Sequence, residues 1–398
     1  MAEHARPLLR LWLVAFFVGI LAGLASAIFL WALNLAIVTR HDAPWLLFGL
    51  PLVGGLIGWV YSRFGEGVDR GNNLLLEQIH DPSVAIPFRM GPLILISTVL
   101  THLFGGSAGR EGTAVQMGGA LADWVAGLWR GSVDDRRTLL MAGIAAGFGA
   151  VFGTPWAGAI FGLEVVKLGR LRGHAVVPCL VASFTGDLVA RGLSIQHHPY
   201  PAPLSYSSGW ISLVTIVAAG LLFAGTSLVF VDLTHWVQRL GAKLPNAAVW
   251  RPVIGGLVVV GLTLGVGNQG YNGLGIPLIE RAFIGDVGWP VFALKLLFTV
   301  VTLGAGFKGG EVTPLFCIGA TLGCAFALGS HQDPALFAAL GFVGVFAAAA
   351  NTPIACLAMG MELFGVHLGP PIALVCFLAW AVSGRKSIYP AQWPAKGE

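Results

Sequence analysis

A chain of 398 residues that is 56% hydrophobic and only 11% charged, with a mean hydropathy of +0.79, lies far outside the range of soluble domains and reads as a polytopic membrane protein. Its 23 Lys and Arg against 19 Asp and Glu give a net charge of +4, too balanced to imply a nucleic-acid partner. Five cysteines, Cys179, Cys317, Cys324, Cys356 and Cys376, show no CxxC spacing and fall mostly in apolar stretches. They read as buried side chains, with no disulfide framework, metal site or cofactor indicated.

At the N-terminus, Arg6 and Arg10 precede an apolar run containing Ala25-Ser26-Ala27, which imitates a cleavable signal peptide. The run continues to Val38, longer than a signal h-region, so a retained first membrane helix is expected. Apolar runs near 11–38, 46–62, 210–230, 252–267 and 289–306 approach the ~20 residues that a crossing needs. The stretches 92–128, 138–192 and 311–384 are cut by Gly and Pro, which predicts tilted or half-length helices. Arg6, Arg10, Arg63, Arg70, Arg170 and Arg172 sit at segment ends, where headgroups would anchor them. The short tail after the last apolar stretch leads us to expect a single integral membrane domain without a soluble regulatory domain.

The stretch Gly105-Gly106-Ser107-Ala108-Gly109-Arg110-Glu111-Gly112-Thr113 sets two charges in this apolar context. An ionised side chain at membrane depth is by default a candidate for an ion or proton pathway. The surrounding glycines interrupt a smooth helix and leave backbone N–H groups free to face an anion. We therefore expect an anion site on broken helices with Glu111 as its titratable gate. A structural Arg110–Glu111 pair is disfavoured, because adjacent residues on a helix point in different directions. The same stretch matches the G-x-S-x-G pattern of serine hydrolases at Ser107, with His102 nearby, but that motif needs a strand-to-helix elbow.

Three motifs recur in order. Pro51-Leu52-Val53-Gly54-Gly55-Leu56 returns at Pro252–Leu257, Gly109–Thr113 at Gly309–Thr313 with Gly119 matching Gly319, and Thr154-Pro155 with Gly162 and Glu164 at Thr352-Pro353 with Gly360 and Glu362. The offsets are near 200, which makes the chain a duplication, divided as 1–200 and 201–398. On this alignment Glu311 is the counterpart of Glu111. Such duplication places a site at the repeat interface, where half-helix N-termini favour an anion. Asn72 and Asn73 in Gly71-Asn72-Asn73-Leu74, with a rough repeat partner at Gly273–Pro277, read equally as a turn or as amide donors to an anion.

Taken together, Gly109-Arg110-Glu111-Gly112, the duplicated Thr-Pro-x-Ala segments and the Gly310–Pro314 segment resemble the CLC family of anion channels and anion/proton antiporters over essentially the whole chain. The resemblance implies an all-α fold of two inverted repeats of tilted, broken helices, and a homodimer with a separate pore in each subunit. It also implies a gating glutamate at Glu111 and an anion-facing tyrosine at Tyr389. Four positions depart from the chloride-transporting pattern: Asn72 in place of Ser, Thr113 in place of Pro, Val312 in place of Phe, and Val165 where exchangers carry a second acidic residue. All four resemble the fluoride-transporting bacterial branch. The expected activity is proton-coupled fluoride export from the cytoplasm across the bacterial plasma membrane, with a chloride-selective antiporter or a passive anion channel as the alternatives.

Fluoride is strongly hydrated, and desolvating an uncompensated ion costs on the order of 20 kcal/mol in the idealised limit. The amide of Asn72, the hydroxyls of Tyr389 and Thr313, and N–H groups around Gly112 and Val312 could repay it, with Asn73, Arg110 and Thr113 in support. A charged Glu111 would compete with the anion for the same donors, and its protonation would release it. Glu311 reads either as a second carboxylate on the path or as a structural one. Glu164 and Glu362 read as stabilisers of a helix end or of the subunit interface.

Overall fold

The computed structural model describes residues 2–166, 173–201, 203 and 209–392, with side chains from residue 8 onward. Arg170 and Arg172 lie outside the described residues, as does the side chain of Arg6. Among the described residues, eight α-helices are followed by eight matching ones. The first set is α1 (Ala2–Asp42), α2 (Leu50–Phe64), α3 (Asn72–His80), α4 (Met90–Leu103), α5 (Glu111–Trp129), α6 (Val133–Phe152), α7 (Pro155–Glu164) and α8 (Gly173–Gly192). The second is α9 (Trp210–Gly241), α10 (Ala247–Val266), α11 (Ile276–Phe283), α12 (Pro290–Gly304), α13 (Val312–Ser330), α14 (Pro334–Ala350), α15 (Pro353–Phe364) and α16 (Gly369–Ser383). The fold is all-α, two inverted repeats of broken membrane helices.

Local chemistry sets these boundaries. Proline opens α7, α12, α14 and α15, where its missing N–H has no helical partner to lose. A capping box between Ser132 and Asp135 starts α6. Left-handed residues at equivalent places, Arg130 and His331, end α5 and α13. Seven helical segments among the described residues are long and apolar enough to cross a membrane. The predicted span at 289–306 is not one of them, since α12 has 15 residues and is about 22 Å long. Gly304 and the turn after it end α12 so that the chain can re-enter at α13. Within the stretches predicted to be interrupted, α7 and α15 have only 10 and 12 residues; α3 and α11, outside those stretches, are as short, with 9 and 8.

Close packing explains many glycines, as expected. A Cβ on Gly319 would lie 2.0 Å from the Gly341 oxygen, and one on Gly118 would lie 2.2 Å from the Gly143 oxygen. The tripeptide Ala25-Ser26-Ala27 is mid-helix in α1, which packs on α8 through Gly19 and Gly23 against Ala182 and Gly186. All five cysteines are buried and unpaired.

The repeats clasp one another through two glutamates. Glu164, the last residue of α7, accepts from the N–H groups of Ile354 (3.0 Å) and Ala355 (2.7 Å) at the start of α15. Glu362 on α15 accepts from Trp156 (3.0 Å) and Ala157 (2.8 Å) at the start of α7. Each carboxylate thus caps the other repeat's helix, favoured by the helix dipole, and both glutamates act at a helix end. Glu362→Ala leaves two N–H groups without an acceptor, a cost of about 2 kcal/mol. A fall in the Tm of the detergent-solubilised protein is expected, and an unchanged Tm would refute the clasp.

Candidate anion site

Two loops meet where the repeats cross. Gly109 N–H donates to the Gly310 oxygen at 2.6 Å and Gly310 N–H to the Gly109 oxygen at 2.8 Å, a two-bond antiparallel bridge. Only glycine fits: a Cβ on Gly310 would lie 2.7 Å from the Gly112 nitrogen, and one on Gly109 would lie 2.8 Å from the Gly310 oxygen. Immediately beyond the bridge start α5 and α13, so their N-termini face each other with first-turn N–H groups that lack helical acceptors.

This bridge corrects the repeat register. Arg110 and Glu311 are the two N-cap residues, and Glu111 and Val312 the first helical ones. The counterpart of Glu111 is therefore Val312, and Glu311 corresponds to Arg110. Gly118 with Gly143 likewise matches Gly319 with Gly341, which displaces the Gly119–Gly319 match. Identical letters favoured an offset of 200, whereas the backbone uses 201.

Glu111 fills the space between the two helix ends and is fully buried. One carboxylate oxygen, Oε2, accepts from Thr313 N–H at 3.1 Å and from Arg110 N–H at 3.2 Å; the other accepts from the Thr313 hydroxyl. Arg110 Nε also approaches Glu111 Oε1 to 3.5 Å. That ion contact was not expected from helix geometry. It forms because Arg110 is the N-cap, outside the helix, and its side chain folds back.

A second group of residues lies on the other side of Gly112. A Cβ on Gly112 would be 3.1 Å from Gly310 Cα, 3.2 Å from Asn72 Nδ2 and 3.7 Å from Glu311 Oε2. Asn72, first residue of α3, is presented by Gly71, whose φ of +57° turns the chain into the helix. Glu311 Oε2 and Asn72 Oδ1 are buried without hydrogen-bond partners. Tyr389 reaches the same place on a C-terminal segment that is tied down: Ile388 N–H donates to the Ala349 oxygen (2.9 Å) and Gln392 Nε2 to the Ala350 oxygen (2.7 Å). Asn72, Glu311 and Tyr389 line one end of a cavity of about 230 Å³, whose walls also carry Asp69, Arg70, Arg251 and Lys308. Stacked rings at Phe316–Phe342 and Phe148–Phe161, with centroids 4.0 and 4.4 Å apart, are part of the packing around α13 and α6.

Other predicted residues lie elsewhere. Thr113 shares a 2.7 Å hydrogen bond with Thr98 on α4 and is turned away from the cavity. Asn73 accepts from Ala391 N–H at 3.1 Å, which fastens the Tyr389 segment to α3. Arg70 pairs with Glu77 at the cavity wall. Ser107 is not paired with His102, whose ring nitrogens meet the Thr98 and Ala108 oxygens at 2.8 and 3.0 Å. Among the described residues there is no strand to make a hydrolase elbow.

The sequence reading overlooked two lysines. Lys295 is fully buried, and its three ammonium donors serve Ser107 Oγ (2.9 Å), the Tyr271 oxygen (3.1 Å) and the Gly273 oxygen (2.7 Å). With Asn272 Nδ2 on the Gly105 oxygen at 2.6 Å, it fixes the loop leading to Glu111. Lys308 lies on the cavity wall. Both are charges within apolar segments, the same signal that singled out Glu111.

The sequence model described as voltage gated chloride channel matches residues 53–384. The chain is 46% identical over 393 residues to a chloride/fluoride channel protein of Pseudomonas syringae pv. tomato, covering 97% of this chain and 87% of that relative. It is 28% identical over 301 residues to an H(+)/Cl(-) exchange transporter of Vibrio parahaemolyticus, covering 71% of this chain and 64% of that one. Among solved structures, a CLC-type fluoride/proton antiporter superposes with a TM-score of 0.91 at 34% identity, covering 97% of this chain and 98% of that one. A slow cyanobacterial Cl-/H+ antiporter superposes at 0.82 with 21% identity, covering 94% of each chain, a likeness of fold.

The geometry beside Gly112 yields a steric prediction. Gly112→Ala is compatible with a helix, yet its methyl would enter the space shared by Asn72 and Glu311. Calorimetric titration with halide should show at least about ten-fold weaker binding, or about 1.4 kcal/mol. Binding equal to that of the unaltered protein would place the anion elsewhere.

Proposed function

We propose that this chain, which belongs to the voltage gated chloride channel (CLC) family, exchanges fluoride for protons, with Glu111 as the group that couples the two. The family is one of channels and transporters, not of catalysts, and the chain is a multi-pass membrane protein. The observation that carries the reading is the contrast between two neighbouring groups of polar atoms. Glu111 has both oxygens engaged by Thr313 and by backbone N–H, whereas on the far side of Gly112 Asn72 Oδ1 and Glu311 Oε2 are buried without a hydrogen-bond partner, in a cavity that Tyr389 also lines.

The donors around Glu111 are those an anion would use. Backbone N–H groups and a hydroxyl at a helix N-terminus bind a carboxylate and a halide through the same charge-assisted hydrogen bonds. While Glu111 is charged it occupies that position and closes the route. Protonation removes its claim on the Thr313 donors, and an anion held at Asn72 and Tyr389 replaces it. Movement of the anion one way then accompanies movement of the carboxyl group and its proton the other way, so one cannot leak without the other.

Two features support fluoride over chloride. Asn72 offers two N–H donors where a serine offers one O–H, which suits a small ion with a tightly held hydration shell. The similarity to a CLC-type fluoride/proton antiporter and to a chloride/fluoride channel protein points the same way. For the proton, Val165 lines a void of about 10 Å³ with Asn72 and Tyr389, at the lower limit for a single water. A proton route there has no titratable carboxylate, which leaves Glu311 as the acceptor next to Glu111. We further propose a homodimer in the bacterial plasma membrane exporting fluoride, with the repeats dividing near residue 200.

Purified protein in liposomes, with a fluoride or chloride electrode outside and a pH-sensitive dye inside, tests this. Fluoride efflux should exceed chloride efflux at least about ten-fold and should drive protons uphill, a coupling that costs the anion gradient 1.4 kcal/mol per ten-fold proton gradient. Equal chloride efflux would replace fluoride by chloride as the transported ion, and fluoride efflux without proton movement would make the protein a channel. Glu111→Ala should abolish proton movement while some anion flux persists; intact coupling would remove Glu111 from its role.

A further inference from the structure

Two connecting segments carry the same three residues. Tyr200-Pro201-Ala202 follows α8, and Tyr389-Pro390-Ala391 follows α16, the matching helix of the second repeat. Each segment is fastened to the last turn of a matching helix in its own repeat: His197 Nε2 meets the Ala150 oxygen of α6 at 2.9 Å, as Ile388 N–H meets the Ala349 oxygen of α14 at 2.9 Å. Each then leans on the opposite repeat. Tyr389 borders a small void with Ile144 of α6 and Val165 just beyond α7, and its segment is bonded to Asn73 of α3. Tyr200 packs on Phe342 of α14, Phe364 at the end of α15 and Phe283 at the end of α11, with ring centroids 5.2, 6.5 and 6.0 Å apart. Ile144 and Phe342 hold equivalent places, each nine residues before the left-handed residue, Gly153 or Asn351, that ends its helix. Tyr200 is thus the inverted-repeat counterpart of Tyr389.

The inversion puts the two phenols on opposite sides of the Gly109–Gly310 bridge. Tyr389 lines the cavity with Glu311, and the counterpart of Glu311 in the corrected register is Arg110. Tyr200, partly buried, accordingly stands within electrostatic reach of Arg110 and Glu111: burial pushes its phenol up to about 12, Arg110 draws it down and Glu111 pushes it up. The hydroxyl therefore keeps its proton near neutral pH and remains a donor. The loop is held in place, with His198 Nε2 2.5 Å from Glu280 of α11 and His367 Nε2 on the Pro203 oxygen at 2.9 Å.

In the proposed exchange, protonated Glu111 gives up the Thr313 donors, and a carboxyl group left without partners against an apolar wall is costly. Arg110 is a poor host for it. A guanidinium has only donors and favours the charged carboxylate, whereas the protonated group presents an O–H that needs an acceptor. A tyrosine hydroxyl both accepts and donates. We propose that Tyr200 is a positioning residue for the exchange, receiving the protonated Glu111 carboxyl on the side of the bridge away from Asn72 and Tyr389 and holding it while the anion occupies the helix ends. Each repeat then supplies one tyrosine, Tyr389 for the anion and Tyr200 for the displaced carboxyl. This rests on the reading of Glu111 as the coupling group and adds the partner of its displaced state.

The test is halide flux through the purified protein in vesicles, measured on whichever of fluoride and chloride the unaltered protein moves faster. Tyr200→Phe removes the hydroxyl and leaves the ring against Phe342; it is made in the unaltered chain and again together with Glu111→Ala. Alone, it should lower the maximal rate about ten-fold, or about 1.4 kcal/mol, while the half-saturating halide concentration and the Tm of the solubilised protein stay unchanged. Combined with Glu111→Ala, it should alter the remaining flux no further, because the carboxyl it serves is gone. Tyr200→Phe running at the unaltered rate overturns the proposal. So does an equal slowing with and without Glu111, which marks a role in the shape of the route. The underlying reading is judged on the single variant: proton coupling intact in Glu111→Ala removes Glu111 as the coupling group, whereas the Tyr200 contact stands or falls on whether the two substitutions add.

Discussion

Everything in this molecule is arranged around two helix N-termini that point at each other. Bringing α5 and α13 head to head places two sets of unpaired N–H groups, each with about half a positive charge, at the same depth. The arrangement is tolerable only with negative charge between them. Glu111 supplies that charge in the structure described here, and the backbone bridge between Gly109 and Gly310 sets the distance at which it can do so. Larger residues at the bridge would separate the helix ends, and the carboxylate would no longer touch both.

The same principle recurs away from the site with a different outcome. Glu164 and Glu362 also sit against helix N-termini of the opposite repeat, where each accepts two backbone N–H bonds. Neither lines the 230 Å³ cavity. Glu111 differs because a polar cavity approaches it from beyond Gly112. A buried carboxylate at a helix end is thus structural or functional according to what lies next to it, which depends on tertiary contacts rather than on the motif.

That distinction marks the limit of what the sequence made legible. Composition and the Gly- and Pro-interrupted segments were sufficient for a polytopic helical chain with broken helices and for singling out Glu111, because membrane burial makes charge and glycine conspicuous; the inverted repeats came only from the resemblance to the CLC family. The repeat was visible, but its register at the centre was displaced by one residue, since matching Glu with Glu outweighed the helix starts that place Glu111 opposite Val312. Thr113 was singled out because it stands where the chloride-transporting pattern has Pro, yet two residues along a helix turn a side chain by about 200° from Glu111, and it bonds to Thr98 instead. Arg110 reached Glu111 because it is not helical. Lys295 and Lys308 were passed over although each is an isolated charge among apolar residues and Lys308 directly precedes the repeated Gly309–Thr313 segment.

Placed together, the cavity and the small void beside Val165 bear on how an anion and a proton share one protein. A separate proton route would need a second wet path of about one water per step, and the void of about 10 Å³ beside Val165 has room for one water at most. The cavity that reaches Glu311 also reaches Asn72 and Tyr389, so in the proposed exchange both ions use it. An anion resting at Asn72 then lies against Glu311 and favours its protonated form, since two negative charges at contact in a desolvated site repel strongly. In the proposed exchange, arrival of the anion and arrival of the proton would thereby assist each other, and the coupling proposed for Glu111 would extend to Glu311, without a dedicated proton acceptor at position 165.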